Sequence, residues 1–529
     1  MRLVGRLPGL RPHRLPTLFS FGTTSSCQLH GSTTHFHPRD ENATEVFPES
    51  LQKTLEAHRA SNRASLFRVV NTTVPPKNHR PTTQRAIRKP PQKQGEEQKQ
   101  VTPESTQKPR ISRRELDRQI RSRLRSDYEK PPEWVNQQLR WSVSLLQNRP
   151  EQWPWLSYHA EAHTSDAMAQ LNAEIRALDA YLTPTSDEQN GVDGLVSTVS
   201  KLLEDVPHRP QLAGSWRTGV ASTHSDLDFV LPIPDIGWSK DDIRKPSSTR
   251  PQVLEAYHNL LERVQQTLWQ TPTFKDKTFL VYNRIPVLLA IHHPTGIRVR
   301  FQCKEGIPSS VEYINDYLAE YPAVRPLYRT TRLILEAQGL FGPHHSSIGT
   351  NALLMLLVAF CKMNHGRFQR PRSLGVQLLA FLRMYGIDVD LAANGVAVDP
   401  PGWFNAESVR SADMNWSWPE ETPAHIRGQR ALMNLKRTAG FKGNEPIADH
   451  LCIQDPTNYM NDLGRFCTRT RDIQNVWAAA YARLRTASDD WDASGGSVGQ
   501  SILTHGLRAN FEDFERKRHG LADIHGLVS

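Results

Sequence analysis

The sequence predicts an α+β protein: a mixed sheet dressed with helices, followed by a mainly helical region. Three observations lead there. Apolar stretches of strand length occur at 227–231, 279–282, 285–291 and 297–301, and the first and last alternate apolar with polar residues. Elsewhere apolar residues recur at three- and four-residue steps, as in Met168, Leu171, Ile175, Leu178 and Leu182, which builds one face of a helix. The chain is also long enough, at 529 residues, to bury two or three cores.

The beginning of the chain differs in composition from the rest. Residues 1–39 hold Arg2, Arg6, Arg11, Arg14 and Arg39 and no acidic residue before Asp40. Arginine-bearing, hydroxyl-rich and acid-free is the composition of a mitochondrial transit peptide, which predicts a matrix location; the alternative is an ordinary disordered tail on a cytoplasmic or nuclear protein. Residues 40–125 read as a disordered basic arm, with text such as Arg88-Lys-Pro-Pro-Gln-Lys93. The first 125 residues carry +14 and the remainder −4, so the net +10 belongs to the arm. That charge can hold phosphates non-specifically, but it is no evidence that the folded part binds nucleic acid. Trp134, Trp141, Trp153 and Trp155 mark 126–163 as an accessory segment packed on the core. The five cysteines form no Cys-x-x-Cys and no paired framework, which predicts reduced thiols and no zinc site. The longest apolar run, Ala352 to Cys361, is half a bilayer span and reads as a core helix, so no membrane span is expected.

From residue 164 the elements follow in order. Thr164-Ser-Asp166 can cap the helix of Met168 to Leu182. Tyr181 to Glu188 breaks it, and Leu195, Val199 and Leu202 begin the next. Then comes the stretch Leu212 to Pro232, in which Gly214-Ser215 makes a small-residue turn and Ser225-Asp-Leu-Asp228 enters an apolar strand. Residues two apart share a strand face, so Asp226 and Asp228 point the same way. Two adjacent carboxylates repel unless cations neutralise them, and hard divalent ions take such oxygen ligands. A helix over 251–270, strands at 279–282 and 285–291 and a turn at His292 to Gly296 lead to Ile297, Val299 and Phe301, which alternate with Arg298, Arg300 and Gln302. Helical patterns follow over 325–340, 353–360, 374–385 (ending at Gly386) and 473–484; Ser494-Gly-Gly-Ser497 links to a short C-terminal helix within 486–529.

The combination of Gly214-Ser215, Gly219 and Ser225-Asp-Leu-Asp228 resembles the signature of the nucleotidyltransferases of the DNA polymerase β-like superfamily. Within it the chain is most similar to the poly(A) polymerase and terminal uridylyltransferase group. The segment Leu451-Cys-Ile-Gln-Asp-Pro-Thr-Asn-Tyr-Met-Asn-Asp-Leu-Gly-Arg465 resembles that group's nucleotide-recognition segment, and the likeness spans 164–485. It implies a palm-like nucleotidyltransferase domain over 164–320 and a helical PAP-associated domain over 321–485. It also implies template-independent addition of nucleotides to RNA 3′ ends, with ATP or UTP as substrate and Mg2+ or Mn2+ as cofactor. By the same resemblance Asp226 and Asp228 are the catalytic, metal-binding pair, Gly214 and Ser215 bind phosphates and Ser225 assists. Arg332 falls at a triphosphate-binding lysine, Thr350 and Asn351 at a Ser-Ser-Tyr that holds the base, and Asp455 and Asn461 in the recognition segment. Partners left open are a homodimer and organellar RNA-processing proteins.

One departure matters most. Where the group carries a third metal-site aspartate, in a pattern like Gly-Leu-Asp-Val-Asp-Ile, this chain reads Gly296-Ile-Arg-Val-Arg-Phe301. Arginine stays protonated and cannot ligate a metal ion, but it can pair with Asp226 or Asp228. Glu305, the nearest acid, is five residues on, about 16 Å along a strand. The sequence therefore carries two readings: a nucleotidyltransferase acting on RNA 3′ ends, and a catalytically weakened or inactive RNA-binding relative.

Overall fold

The computed structural model describes residues 166–233, 251–281, 285–304, 310–342, 345–368, 373–413, 422–496 and 500–522, with 131–136, 139, 141, 153–158 and scattered positions between 53 and 122. The predicted transit peptide, most of the basic arm, and Glu305 lie outside the described residues.

Helix α1 spans Ala167–Leu182, and the Asp166 carboxylate accepts the Ala169 N–H at 2.7 Å as its N-cap. Helix α2, Ser186–Leu202, starts earlier than the apolar pattern predicts. Thr185 and Glu188 form a reciprocal capping box, so Asp187 and Glu188 belong to the helix and not to the break before it.

Five strands form the main sheet: β1 Gln211–Ala213, β2 Leu227–Pro232, β3 Thr278–Val281, β4 Val287–Ile291 and β5 Arg298–Lys304. Their order is β1-β2-β5-β4-β3; β2 and β5 run parallel and the other neighbours antiparallel. Helix α3, Pro251–Trp269, lies in the crossover from β2 to β3. One sheet face buries Leu227, Phe229, Val299 and Phe301 in a core shared with Leu195 and Val199 of α2 and Tyr257 and Leu261 of α3. Phe229 and Phe301 stack at 5.3 Å. The other face is left for polar side chains. As the alternation predicts, Val299, Phe301 and Cys303 are buried while Arg298, Arg300 and Gln302 are half-buried on the opposite face.

The helical part contains α4 Ser310–Glu320, α5 Val324–Glu336, α6 Thr350–Met363, α7 Leu374–Arg383, α8 Ala424–Phe441 and α9 Thr470–Ser494. Every residue from Ala352 to Phe360 is buried in its core, and among the described residues no helix is long and apolar enough to cross a membrane. Gly386 does not end α7. A π turn carries the chain from Met384 to Asp388, and Gly386 lies so close to the α9 backbone at Ala478 that a Cβ would meet its nitrogen at 2.6 Å. The sequence pattern also missed a second sheet: β6 Gly395–Val398, β7 Pro401–Phe404 and β8 Ile453–Gln454, ordered β7-β6-β8. Strands of two to four residues are too short to show alternation.

Past Gly495 and Gly496, both at positive φ, the chain forms two helices where one was expected: α10 Leu503–Leu507 and α11 Glu512–Ala522. The buried Glu174 carboxylate of α1 accepts from Ser501 Oγ (2.6 Å), Ile502 N (3.2 Å) and Leu503 N (2.8 Å), which pins the start of α10 to the core. Burial pushes the Glu174 carboxyl up, and these donors offset part of the rise. Phe511 and Phe514 then pack with Trp141, Trp155 and Tyr181, so the predicted accessory segment and the C-terminal helices share one aromatic cluster.

Candidate nucleotide cleft

A cleft of about 650 Å³ opens between the polar face of the main sheet, the starts of α4 and α6, and α11. That volume is in the range of small-molecule sites. Gly214, Ser215, Ser225, Asp226, Asp228, Arg332, Thr350 and Asn351 all line it, so eight of the ten sequence-predicted site residues come together from positions far apart in the chain.

Asp228 is on β2, whereas Asp226 immediately precedes the first strand residue, Leu227, so only Asp228 lies within the strand. Gly214 sits at φ +69°, and a Cβ there would collide with the Asp228 carboxylate. Glycine is thus needed twice over, for its backbone conformation and for the approach of β2. Arg329, on α5 and 2% exposed, holds the loop in front of β2: it donates to the Ala221 carbonyl at 2.7 Å and to Asp179 of α1 at 2.7 Å.

Neither carboxylate is free. Arg298 grips Asp226 with two parallel bonds, Nε to Oδ1 at 2.9 Å and Nη2 to Oδ2 at 2.8 Å, and its Nη1 donates to the Val135 carbonyl at 3.2 Å. Arg300 Nε donates to Asp228 Oδ1 at 2.5 Å. The second pair follows from register, because Asp228 and Arg300 are direct partners across the parallel β2–β5 ladder. Burial pushes the Asp226 carboxyl up, but the charge and hydrogen bonds of Arg298, with Arg300 and Lys517, outweigh it and leave the group below the usual carboxylate range. For Asp228 burial wins: Arg300 offsets part of it, the neighbouring Asp226 charge adds to it, and the carboxyl stays above its ordinary value.

These residues do not fit the divalent-metal site that the fold implies. Guanidinium groups bond both oxygens of Asp226 and Oδ1 of Asp228, which sets fixed positive charge where a metal ion would bind, and the third position is itself Arg300. Among the described residues no group of three His, Cys, Asp or Glu side chains is placed to hold a metal ion.

Arg332 lines the cleft and is also engaged with its neighbours. Its Nε donates to Glu336 Oε1 (2.7 Å), its Nη1 to Ser225 Oγ (3.1 Å), its Nη2 lies 3.0 Å from His224 Nε2, and its plane covers Phe341 at 5.0 Å. It fixes the His224-Ser225 corner ahead of Asp226. Ser225 Oγ, 2% exposed as a residue, serves that corner by accepting from Arg332 and from Ser222 N. Burial alone pushes Glu336 up, yet Arg332 and His224 hold its carboxyl down at about 2. Burial keeps His224 below its ordinary value.

Thr350 Oγ1 accepts from the Tyr328 hydroxyl at 3.2 Å, and the exposed Asn351 donates to Ser310 Oγ at 3.3 Å. Asp455 and Asn461 do not line the cleft. The Asp455 carboxylate closes its own turn, accepting from Thr457 N and Oγ1, Asn458 N and Asn461 Nδ2, so the structure gives these two a conformational role in place of the expected contact with nucleotide.

Four cleft residues escaped the sequence reading: Arg298 as the partner of Asp226, Lys304, and Arg516 and Lys517 of α11. The β5 alternation already puts Lys304 on the face of Arg298 and Arg300; nothing local signals that residues 516 and 517 return to it.

No protein-family profile matches the chain. It is 22% identical over 376 residues to Poly(A) RNA polymerase protein 1 of Eremothecium gossypii, covering 68% of this chain and 53% of the relative. It is 22% identical over 388 residues to Poly(A) RNA polymerase protein 2 of Saccharomyces cerevisiae, covering 71% and 57%. A Drosophila melanogaster relative named inactive non-canonical poly(A) RNA polymerase protein Trf4-2 is 23% identical over 332 residues, covering 61% and 70%. The chain thus spans little more than half the length of the first two. Among solved structures, the polymerase core of TRAMP, an RNA surveillance complex, superposes with a TM-score of 0.51 at 19% identity, covering 67% of this chain and 98% of that one. That likeness shows the fold. With the carboxylate pair, the glycine turn and the sheet order in place, the chain has the nucleotidyltransferase fold and is similar in sequence to poly(A) RNA polymerases.

Proposed function

We propose that this protein engages RNA 3′ ends, a reading supported by its similarity to proteins named poly(A) RNA polymerases, with the nucleotidyl-transfer step itself weakened or absent. The observation that carries this is the capture of Asp226 and Asp228 by Arg298 and Arg300. Two-metal phosphoryl transfer needs those oxygens for cations that stabilise attacking and leaving groups, a contribution of several kcal/mol. Here two fixed positive charges hold the oxygens instead. One relative is itself named an inactive non-canonical poly(A) RNA polymerase protein, which supports this reading.

A second reading, a working template-independent transferase using ATP or UTP with Mg2+ or Mn2+, is favoured by one feature. Gly214 and Ser215 keep their place beside Asp226 and Asp228 in a cleft of nucleotide size. The two readings separate in one experiment. The full chain is incubated with a labelled RNA, each nucleoside triphosphate, and magnesium or manganese. Retarded RNA mobility without 3′ extension supports the first reading. Extension that disappears in Asp228→Ala establishes the second.

The setting proposed is the mitochondrial matrix, on the strength of the arginine-bearing, acid-free residues 1–39. A fluorescent fusion that stays in the cytosol would dismiss it. The polymerase-core neighbour supports an RNA-processing assembly as the partner. Light scattering of the purified chain distinguishes that from a homodimer.

A further inference from the structure

The cleft holds more cations than its carboxylates can use. Arg298, Arg300, Lys304, Arg332, Arg516 and Lys517 face it, against Asp226, Asp228, Glu336 and Asp513. Each carboxylate already has an arginine: Asp226 has Arg298, Asp228 has Arg300, Glu336 has Arg332, and Asp513 has Arg516 at 3.0 Å. Two ammonium groups are left over. Among the described residues neither Lys304 nor Lys517 has a carboxylate at ion-pair distance; Lys517 Nζ reaches only the His224 carbonyl, at 3.5 Å. Arg300 adds further donors, since it uses Nε on Asp228 and its two terminal nitrogens have no hydrogen-bond partner among the described residues.

These donors stand on rigid supports. Arg300 and Lys304 share one face of β5, in the middle and at the end of the strand. Lys517 is carried by α11, which is fastened by Arg518 Nε on Glu188 at 2.8 Å and by the packing of Phe511 and Phe514 in the aromatic cluster. Ahead of it, Glu174 clamps the segment that leads into α10. A surplus of donors on fixed backbone facing a cavity is chemistry for a polyanion, and guanidinium and ammonium groups bind phosphate oxygens directly.

We propose that the cleft binds the phosphate chain of a nucleoside polyphosphate without a divalent cation, with Arg300, Lys304 and Lys517 as its contacts. The idea rests on the reading above that arginines hold the aspartates, and it adds what those changes admit. The phosphate charge that magnesium would neutralise meets side-chain cations instead. The cavity, about 650 Å³, has the size for one nucleotide. Asn351 offers no aromatic face to a base, so the phosphates are expected to dominate recognition.

The test is calorimetric titration of the full chain with ATP and, separately, with inorganic tripolyphosphate, in EDTA and in excess magnesium. Both probes are expected to bind in EDTA, with affinities within about threefold of each other and of those in magnesium. Lys304→Ala and Lys517→Ala should each weaken both probes about tenfold or more, as the loss of a charge-assisted contact predicts. Lys304 is exposed at a strand end, so its variant reads the contact without disturbing the core. Binding only with magnesium, no binding of either probe, or native affinity in both variants would each overturn the proposal. A single-stranded RNA oligonucleotide that binds in EDTA while ATP and tripolyphosphate do not would overturn it and leave the RNA-binding reading intact. RNA extension would sink that reading, and the EDTA titration would still decide this one.

Discussion

Strands β2 and β5 lie side by side in parallel register and differ in the sign of their charge. On the face toward α2 and α3 they are alike: Phe229 stacks on Phe301 and Leu227 lies opposite Val299. On the cleft face β2 presents Asp228, with Asp226 just ahead of it, and β5 presents Arg298, Arg300, Gln302 and Lys304. The lesson is that a sheet can exchange the sign of one half of its site at no cost to the core. Polar positions on an alternating strand answer to what lies across the ladder, where Arg300 meets Asp228, while Arg298 reaches Asp226 just ahead of the strand.

The shared face gives the largest expected effect. Phe301→Ala should destabilise by about 3–5 kcal/mol in a denaturant melt, because a fully buried ring is removed from a packed core. A loss below about 1 kcal/mol would mean that the two strands do not share that core.

The two ion pairs should differ from each other. Arg298→Ala is expected to cost about 2–3 kcal/mol, since it strips a bidentate partner from Asp226. Arg300→Ala removes one bond from a pair whose side chains are 25% and 18% exposed, and should cost about 1 kcal/mol. The ordering is the test: equal losses would show that the pairs are interchangeable. Asp226→Asn combined with Arg298→Gln in a double-mutant cycle should recover part of the loss.

Gly214→Ala probes how closely β2 approaches the turn. The positive φ and the Asp228 carboxylate both oppose a methyl group, so a loss of about 1–3 kcal/mol is expected by thermal melting. Gly219, also at positive φ but with open space around it, should tolerate alanine with the conformational part alone.

Near neutrality the smallest effect is that of Glu336, whose contribution shows only in an acid pH window. Glu336 is held at about 2 in the folded protein against an ordinary 4.5. The unfolded chain therefore takes up the proton first as pH falls. The Glu336 contribution is complete above about 4.5 and is lost progressively as pH drops toward 2. Glu336→Gln should flatten stability across that acid window and leave its shape near neutrality unchanged. An unchanged acid slope would remove Glu336 from the pairing with Arg332.

Much of this was legible in the sequence because alternation and helix spacing act locally. The β5 pattern alone put Arg298, Arg300 and Gln302 on one face, and the run after Ala352 read as a core helix. What could not be read was set by tertiary contact. The capping box moved the start of α2, and Gly386 serves a close helix approach and not a stop. Arg332 braces His224 and Ser225, a geometry set by Glu336 one helical turn away. The return of Lys517 to the cleft depends on Glu174, more than 300 residues earlier in the chain.

The most direct measurement is a manganese titration of the native chain followed by electron paramagnetic resonance. If arginines hold the aspartate oxygens, the signal of free Mn2+ should persist as protein is added. Arg300→Asp, which restores a third carboxylate, should then create a binding site. A native chain that takes up Mn2+ stoichiometrically, and loses it in Asp228→Asn, would contradict the claim that guanidinium groups have taken the metal's place.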